Sequence, residues 1–194
     1  MVIELPDSGL ILQNDKIILR PLVTADYQVF KKLTCDKSIW IYFTNDLSVE
    51  EVLTTWIDDA VNEADKKTRI PFTIIDRTTG KVAGSTSIGN ISVRDKRAEI
   101  GWTWISREYQ GTGINRQSKL LMITYIFDIL GFERVEFKTD VLNIPARKAL
   151  LKIGAGEEGI LRSHTLMTNN RRRDTIYYSI LKQEWNGLKM QNPS

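Results

Sequence analysis

Apolar and polar positions change their spacing several times along this chain, and each change marks an element. Lys16-Ile17-Ile18-Leu19-Arg20 reads as a strand closed by Pro21, after a start that reads as disordered. Thr24 then offers an N-cap to a short helix carrying Tyr27, Phe30 and Leu33. Residues 37–47 keep no period either and read as loop. Ser48 followed by Glu51 has capping-box spacing, and behind it Val49, Val52, Leu53, Trp56, Ile57, Ala60, Val61 and Ala64 hold a helical period without a miss. Three strand-like runs come next, 72–76, 82–91 and 98–105, separated by a Thr79-Gly80 turn and a polar connection at 94–97. This is the pattern of an antiparallel meander.

From Gly113 the period is helical again, with Leu120, Ile123, Thr124, Phe127 and Leu130 on one stripe and Gly131 as the stop. Val135, Phe137 and Thr139 then alternate with Arg134, Glu136, Lys138 and Asp140 as in a strand. A helix over 145–153 ends at Gly154, and strands over 157–166 and 175–181 flank a turn at Thr168-Asn169-Asn170. The order is strand, two helices, three strands, helix, strand, helix, two strands, which predicts an α+β fold. No repeat, linker or low-complexity run interrupts the 194 residues. Two domains of under about 100 residues each would both be marginal, so a single domain over 1–194 is expected.

Composition narrows the chemistry. With 27 Lys and Arg against 24 Asp and Glu the net charge is only +3, too small a surplus for a dedicated DNA or RNA binder. One cysteine, Cys35, cannot close an intramolecular disulfide, and one histidine, His164, cannot by itself build a His/Cys metal cluster, so no metal site is expected. Apolar runs fall far short of the ~20 residues that span a bilayer. The first 13 residues lack both a basic start and a long apolar centre, which predicts a cytoplasmic protein with no membrane partner.

The stretch richest in chemistry is Tyr109-Gln110-Gly111-Thr112-Gly113-Ile114-Asn115-Arg116, where a glycine-rich turn leaves a strand and opens a helix. Glycines let backbone approach an anion closely, and the free N–H groups and dipole of a helix start favour a phosphate there. Two other phosphate loops are excluded: the Gly-Lys-Ser/Thr ending of a P-loop is absent, and Arg116 stands where a dinucleotide fingerprint needs its third glycine.

Together with Arg97-Ala98-Glu99-Ile100-Gly101-Trp102, and with Thr139-Asp140-Val141-Leu142-Asn143-Ile144-Pro145-Ala146 leading to Ile153-Gly154-Ala155, this turn resembles the GNAT acyltransferases, and within them the Rim-type N-acetyltransferases that modify ribosomal-protein N-termini. The resemblance covers residues 16–185 in the right element order. It implies a central mixed, mostly antiparallel sheet of about seven strands with about four helices on both faces. It also implies acetyl-CoA as cosubstrate and a primary amine as acceptor, either a protein N-terminus or a small molecule; a homodimer is left open.

By that resemblance, Gln110, Gly111, Thr112, Gly113, Ile114 and Asn115 cradle the CoA pyrophosphate, and Asn143 contacts the pantetheine arm. The strand before the turn splays from its neighbour to admit that arm. Backbone N–H groups near Trp104 and Ile105 meet the oxyanion, and Glu99 resembles the glutamate that takes the amine proton. The alternative for Glu99 is a solvated strand residue paired with Arg97 or a neighbour. Ala146 and Leu150 stand where many members carry a serine and a tyrosine near the leaving sulfur, which leaves the general acid unassigned among Tyr177, Tyr178, water and the substrate ammonium.

Other features have two readings each. Arg171-Arg172-Arg173, near Arg162 and His164, suits a phosphate or an RNA but equally a solvated hairpin turn with Asp174 as partial neutraliser. His164 is a minor candidate base. Trp40, Tyr42 and Phe43 are candidate acceptor-wall residues or core cover; Trp56 lies on the apolar stripe and reads as core; Cys35 reads as a small buried filler. Besides the transferase, the missing serine and tyrosine leave room for a non-catalytic acyl-CoA sensor, and the arginines for a small RNA-binding module.

Overall fold

The computed structural model describes residues 5–6 and 9–191. It contains one eight-stranded sheet ordered β1-β2-β3-β4-β5-β6-β8-β7. The strands are β1 (Leu12–Gln13), β2 (Ile17–Pro21), β3 (Ile70–Asp76), β4 (Val82–Ser92), β5 (Arg97–Ile105), β6 (Arg134–Asp140), β7 (Gly156–Leu166) and β8 (Arg172–Leu181). Every neighbouring pair is antiparallel except β5 and β6. The helices are α1 (Tyr27–Leu33), α2 (Glu50–Asp65), α3 (Ile114–Thr124), α4 (Ile144–Lys152) and α5 (Lys182–Gln191). A π-turn over Tyr125–Ile129, with Leu130 N–H on the Tyr125 carbonyl, carries α3 to its stop.

Alternation along the strands feeds two cores. One face buries Ile17, Leu19, Ile74, Ile100, Val135 and Phe137 against Met122, Ile123 and Phe127 from α3 and its π-turn. The other buries Trp104 against Phe30, Trp40, Leu53, Trp56 and Ile57. The α1 end of this second layer is pinned by Asp26, whose buried carboxylate accepts from Arg20, Thr73 Oγ1 and the Val23 N–H. Burial alone would raise the Asp26 pKa, but these donors together hold it below the ordinary carboxylate range.

Several expectations are corrected. The start is not wholly irregular: Leu12 and Gln13 pair with β2 across a turn in which Asn14 Oδ1 accepts from the Lys16 and Ile17 N–H groups. Within that start, residues 1–4 and 7–8 lie outside the described residues. Ser48 does not cap α2; its hydroxyl turns back to Asp46 Oδ1 at 2.6 Å, and Val49 stands at the cap. Neither does Thr24 act as a side-chain cap, since the first turn there is a 3-10 turn over Thr24–Asp26. Within the expected loop at 37–47, a second 3-10 turn over Lys37–Trp40 starts on the Asp36 carboxylate. Finally, α5 follows the last strand, anchored by the buried Trp185. Cys35 is exposed, with its thiol on the Lys32 carbonyl, and so is no core filler.

Candidate active site

The parallel pair is short: Arg97, Ala98 and Glu99 lie against Arg134, Val135 and Glu136, and past Glu99 no ladder joins β5 to β6. On its other edge β5 stays on β4 to Ile105, through a bulge where Trp102 takes a positive φ of 50°. The sheet therefore opens from Glu99 toward the glycine turn. Ser106 N–H donates to the Ala83 carbonyl on the β4 side, so strand alternation turns the Ile105 N–H toward the opening. The side chains of Trp104 and Ile105 go elsewhere, one into each core.

At the closed end Glu99 is 4% exposed. Its Oε2 accepts from Asn90 Nδ2 at 2.7 Å and pairs with Lys138 Nζ at 3.0 Å. Oε1 lies beside Gly101, where a Cβ would come within 2.9 Å of it. Arg97 pairs with Glu136, so of the alternative reading the pairing with a neighbour holds, through Lys138, while the solvation and the Arg97 partner do not. Asn90 also lines a cavity of about 290 Å³ with Glu63, Arg69 and Trp102. The buried Arg69 guanidinium sits over the rings of Trp102 and Trp56 at 5.2 and 5.8 Å.

At the open end, Gly111 and Gly113 have φ of 79° and 92°, and a Cβ on either would meet nothing within 4 Å. Only glycine takes these angles readily, and the space above both is clear, so the turn fits a close-lying anion. Gly113 caps α3 and accepts the first intrahelical bond, from Gln117. Helix geometry leaves the N–H groups at the start of α3, at Gly113, Ile114 and Asn115, without intrahelical acceptors. The side chains here hold the turn rather than face out. Gln110 Nε2 donates to the Ile105 carbonyl, Thr112 Oγ1 donates to the Tyr109 carbonyl, and Ile114 is core. Asn115 Oδ1 accepts from Lys119 Nζ at 2.7 Å.

Asn143 stands at the third corner, as N-cap of α4, with Oδ1 accepting from the Ala146 N–H at 3.2 Å. The fully buried Asp140 sets that corner: one oxygen accepts from the Leu142 N–H, the other pairs with Arg171. Ala146 and Leu150 carry no exchangeable side-chain proton. The Tyr178 hydroxyl is tied to Arg147 and Glu157, whereas Tyr177 is half-buried opposite Lys138 in the ladder.

The arginine run is divided: Arg173 is buried, Arg171 half-buried and Arg172 exposed. Arg171 is taken by Asp140, Arg172 by Ser163, and Arg173 is buried with Nε on Thr175 Oγ1. The expected neutraliser, Asp174, instead accepts from the Ser163 N–H. His164 is exposed, with its Nδ1 near Thr175 Oγ1 and its ring edge-on to Tyr177. Trp40 is core, packed on Trp104 and Phe43, and Trp56 is buried as its stripe predicts. Among the described residues no group of three or more His, Cys, Asp or Glu side chains could hold a metal ion, and no helix is long and apolar enough to cross a membrane.

A family model described as acetyltransferase (GNAT) domain matches residues 16–156, the stretch that builds the opening, the turn and the Asn143 corner. The chain belongs to the GNAT acetyltransferases. YdaF of Bacillus subtilis (strain 168), provisionally named a ribosomal N-acetyltransferase, is 38% identical over 110 residues, or 57% of this chain and 59% of YdaF, so that match spans less than two thirds of the relative. The uncharacterized N-acetyltransferase p20 of Bacillus licheniformis is 27% identical over 91% of this chain and 98% of its own. Among solved structures, a GCN5-related N-acetyltransferase from Brucella melitensis superposes with a TM-score of 0.83 at 26% identity, covering 95% of this chain and 84% of that one. A GNAT enzyme is thus an acyltransferase of α+β fold, and this sheet, with one strand more than expected, has that form.

The side chains that sequence reasoning missed are Asn90, Lys138 and Lys119. Asn90 and Lys138 matter only through contacts with Glu99 made across strands. Lys119 lies off the apolar stripe of α3, and no signal in the sequence marks it as buried.

Proposed function

We propose that the protein transfers an acetyl group from acetyl-CoA directly to a primary amine, either a protein N-terminus or a small molecule. The observation that carries this reading is the opening of the sheet past Glu99, with a glycine turn at its mouth and a buried carboxylate at its closed end. Acyl transfer joins nitrogen to the acetyl carbon as the carbon–sulfur bond breaks; the amine gives up a proton and the thiolate gains one.

In this reading the N–H groups of Gly113, Ile114 and Asn115 bind the diphosphate of the cofactor, and the Asn143 amide steers its pantetheine arm into the opening. The Ile105 N–H, at the edge of that opening, is a donor for the developing oxyanion. Asn90 and Lys138 fix Oε2 of Glu99, which leaves Oε1 to take the ammonium proton of the acceptor. The cavity beside Asn90, walled by Trp102 and Arg69, receives the acceptor. Arg171 is paired with Asp140 and Arg173 is buried, which weakens any RNA-binding reading.

The test is release of free thiol from acetyl-CoA across a panel of amines. Glu99→Gln should keep CoA affinity and lower turnover by about 10²–10⁴-fold, the range for loss of a positioned general base. Wild-type turnover in that variant would remove Glu99 from the proton path. No thiol release from the unaltered protein with any amine would contradict the transferase reading itself.

A further inference from the structure

Lys119, on the second turn of α3, is 8% exposed. Its Nζ reaches back toward the helix start and donates to Asn115 Oδ1 at 2.7 Å. Among the described residues no carboxylate lies within ion-pair distance, so the only partner of this ammonium is a neutral amide. Gln117 ties the neighbouring side of α3 to Asn14 at 2.9 Å, between β1 and β2. Lys119, two positions on and so about 200° around the helix axis, lies on the side away from β1. Beyond β1 and β2, α3 lies along β4 and β5.

A buried cation without a counter-charge is costly, and the cost falls when an anion arrives beside it. This one points at the turn whose N–H groups have no intrahelical acceptors and whose glycines leave clear space. We infer that Lys119 is a further binding residue for the cofactor, its ammonium pairing with the diphosphate while Asn115 holds it in place. Burial lowers the Lys119 pKa to about 8, so the ammonium stays charged near neutral pH. This rests on the proposed use of CoA, and it adds a charged side chain to a site otherwise made of backbone donors.

Titration calorimetry with CoA, and displacement of CoA by ADP, test it. Lys119→Met keeps the length and the burial of the side chain and should weaken both CoA and ADP by about 10- to 100-fold, as loss of a hydrogen bond to a charged group does. Asn115→Asp is a second variant that should fold readily, since an acidic residue in the first helical turn and an Asp–Lys pair four apart both favour the helix. It gives Lys119 a carboxylate and should also weaken CoA. Unchanged affinity in both variants overturns the inference while leaving the transferase reading intact. Loss of CoA affinity with ADP unaffected would place Lys119 on the arm and likewise overturn it. If the unaltered protein binds no CoA, the transferase reading fails first.

Discussion

Lys119 also makes a prediction about stability. Its pKa falls from the ordinary 10.5 to about 8 because burial penalises the charge. Below pH 8 both states carry the proton, and the folded state bears the full cost of the buried ammonium. Between about 8 and 10.5 the unfolded chain holds a proton that the folded one has released, so stability rises with pH. Lys119→Met should therefore stabilise the apo protein at pH 7 by about 3 kcal/mol and flatten the rise in alkali. Urea unfolding midpoints at pH 7 and pH 10 measure both. A variant less stable than the parent at pH 7 would contradict the burial account. The gain in stability should accompany the loss in CoA affinity, a pairing typical of a residue kept for a ligand.

Residues of this kind are the least legible in a sequence. Glu99 and the two glycines stood out because their types and spacing announce a chemistry. Lys119 did not, because four methylenes and an ammonium are as common on a solvated helix face as anywhere, and burial follows from how α3 lies on the sheet. Lys138 was read correctly as an alternating strand position, but its contact with Glu99 depends on the parallel register of β5 on β6.

At the scale of elements, α4 begins on Asn143, and two roles fall on one side chain. Its Oδ1 caps the helix, while its amide N–H₂ is what the proposed pantetheine contact uses. Asn143→Ala should cost about 1 kcal/mol of stability through the lost cap and also weaken CoA. Asn143→Asp preserves the cap acceptor and should keep the stability while still weakening CoA. Thermal melts and calorimetry on both variants separate the roles; full CoA affinity in both would leave Asn143 a cap only. Legibility followed periodicity here. The stripe on α2 and the alternation in β6 were read within a residue or two. By contrast, the two residues of β1 are too few to show alternation, and α5 buries little beyond Trp185. Ser48 had the right spacing for a cap but found a nearer acceptor in Asp46.

At the scale of the whole molecule, the deciding feature is a sheet that is continuous across eight strands yet unzipped at one seam. Seven strands and their order were readable from pattern and resemblance, and so was the expectation that the strand before the glycine turn splays. Where the seam stops could not be read, since that is set by the bulge at Trp102 and by three rungs of parallel pairing. Those two details put Glu99 at the closed end and the turn at the open end. A structure of the protein crystallised with CoA is the measurement that bears on this most directly. The diphosphate should lie within hydrogen-bond distance of the N–H groups of Gly113 to Asn115, with the arm between β5 and β6 and its sulfur toward Glu99. CoA bound anywhere else, with the seam between β5 and β6 left clear, would contradict the account.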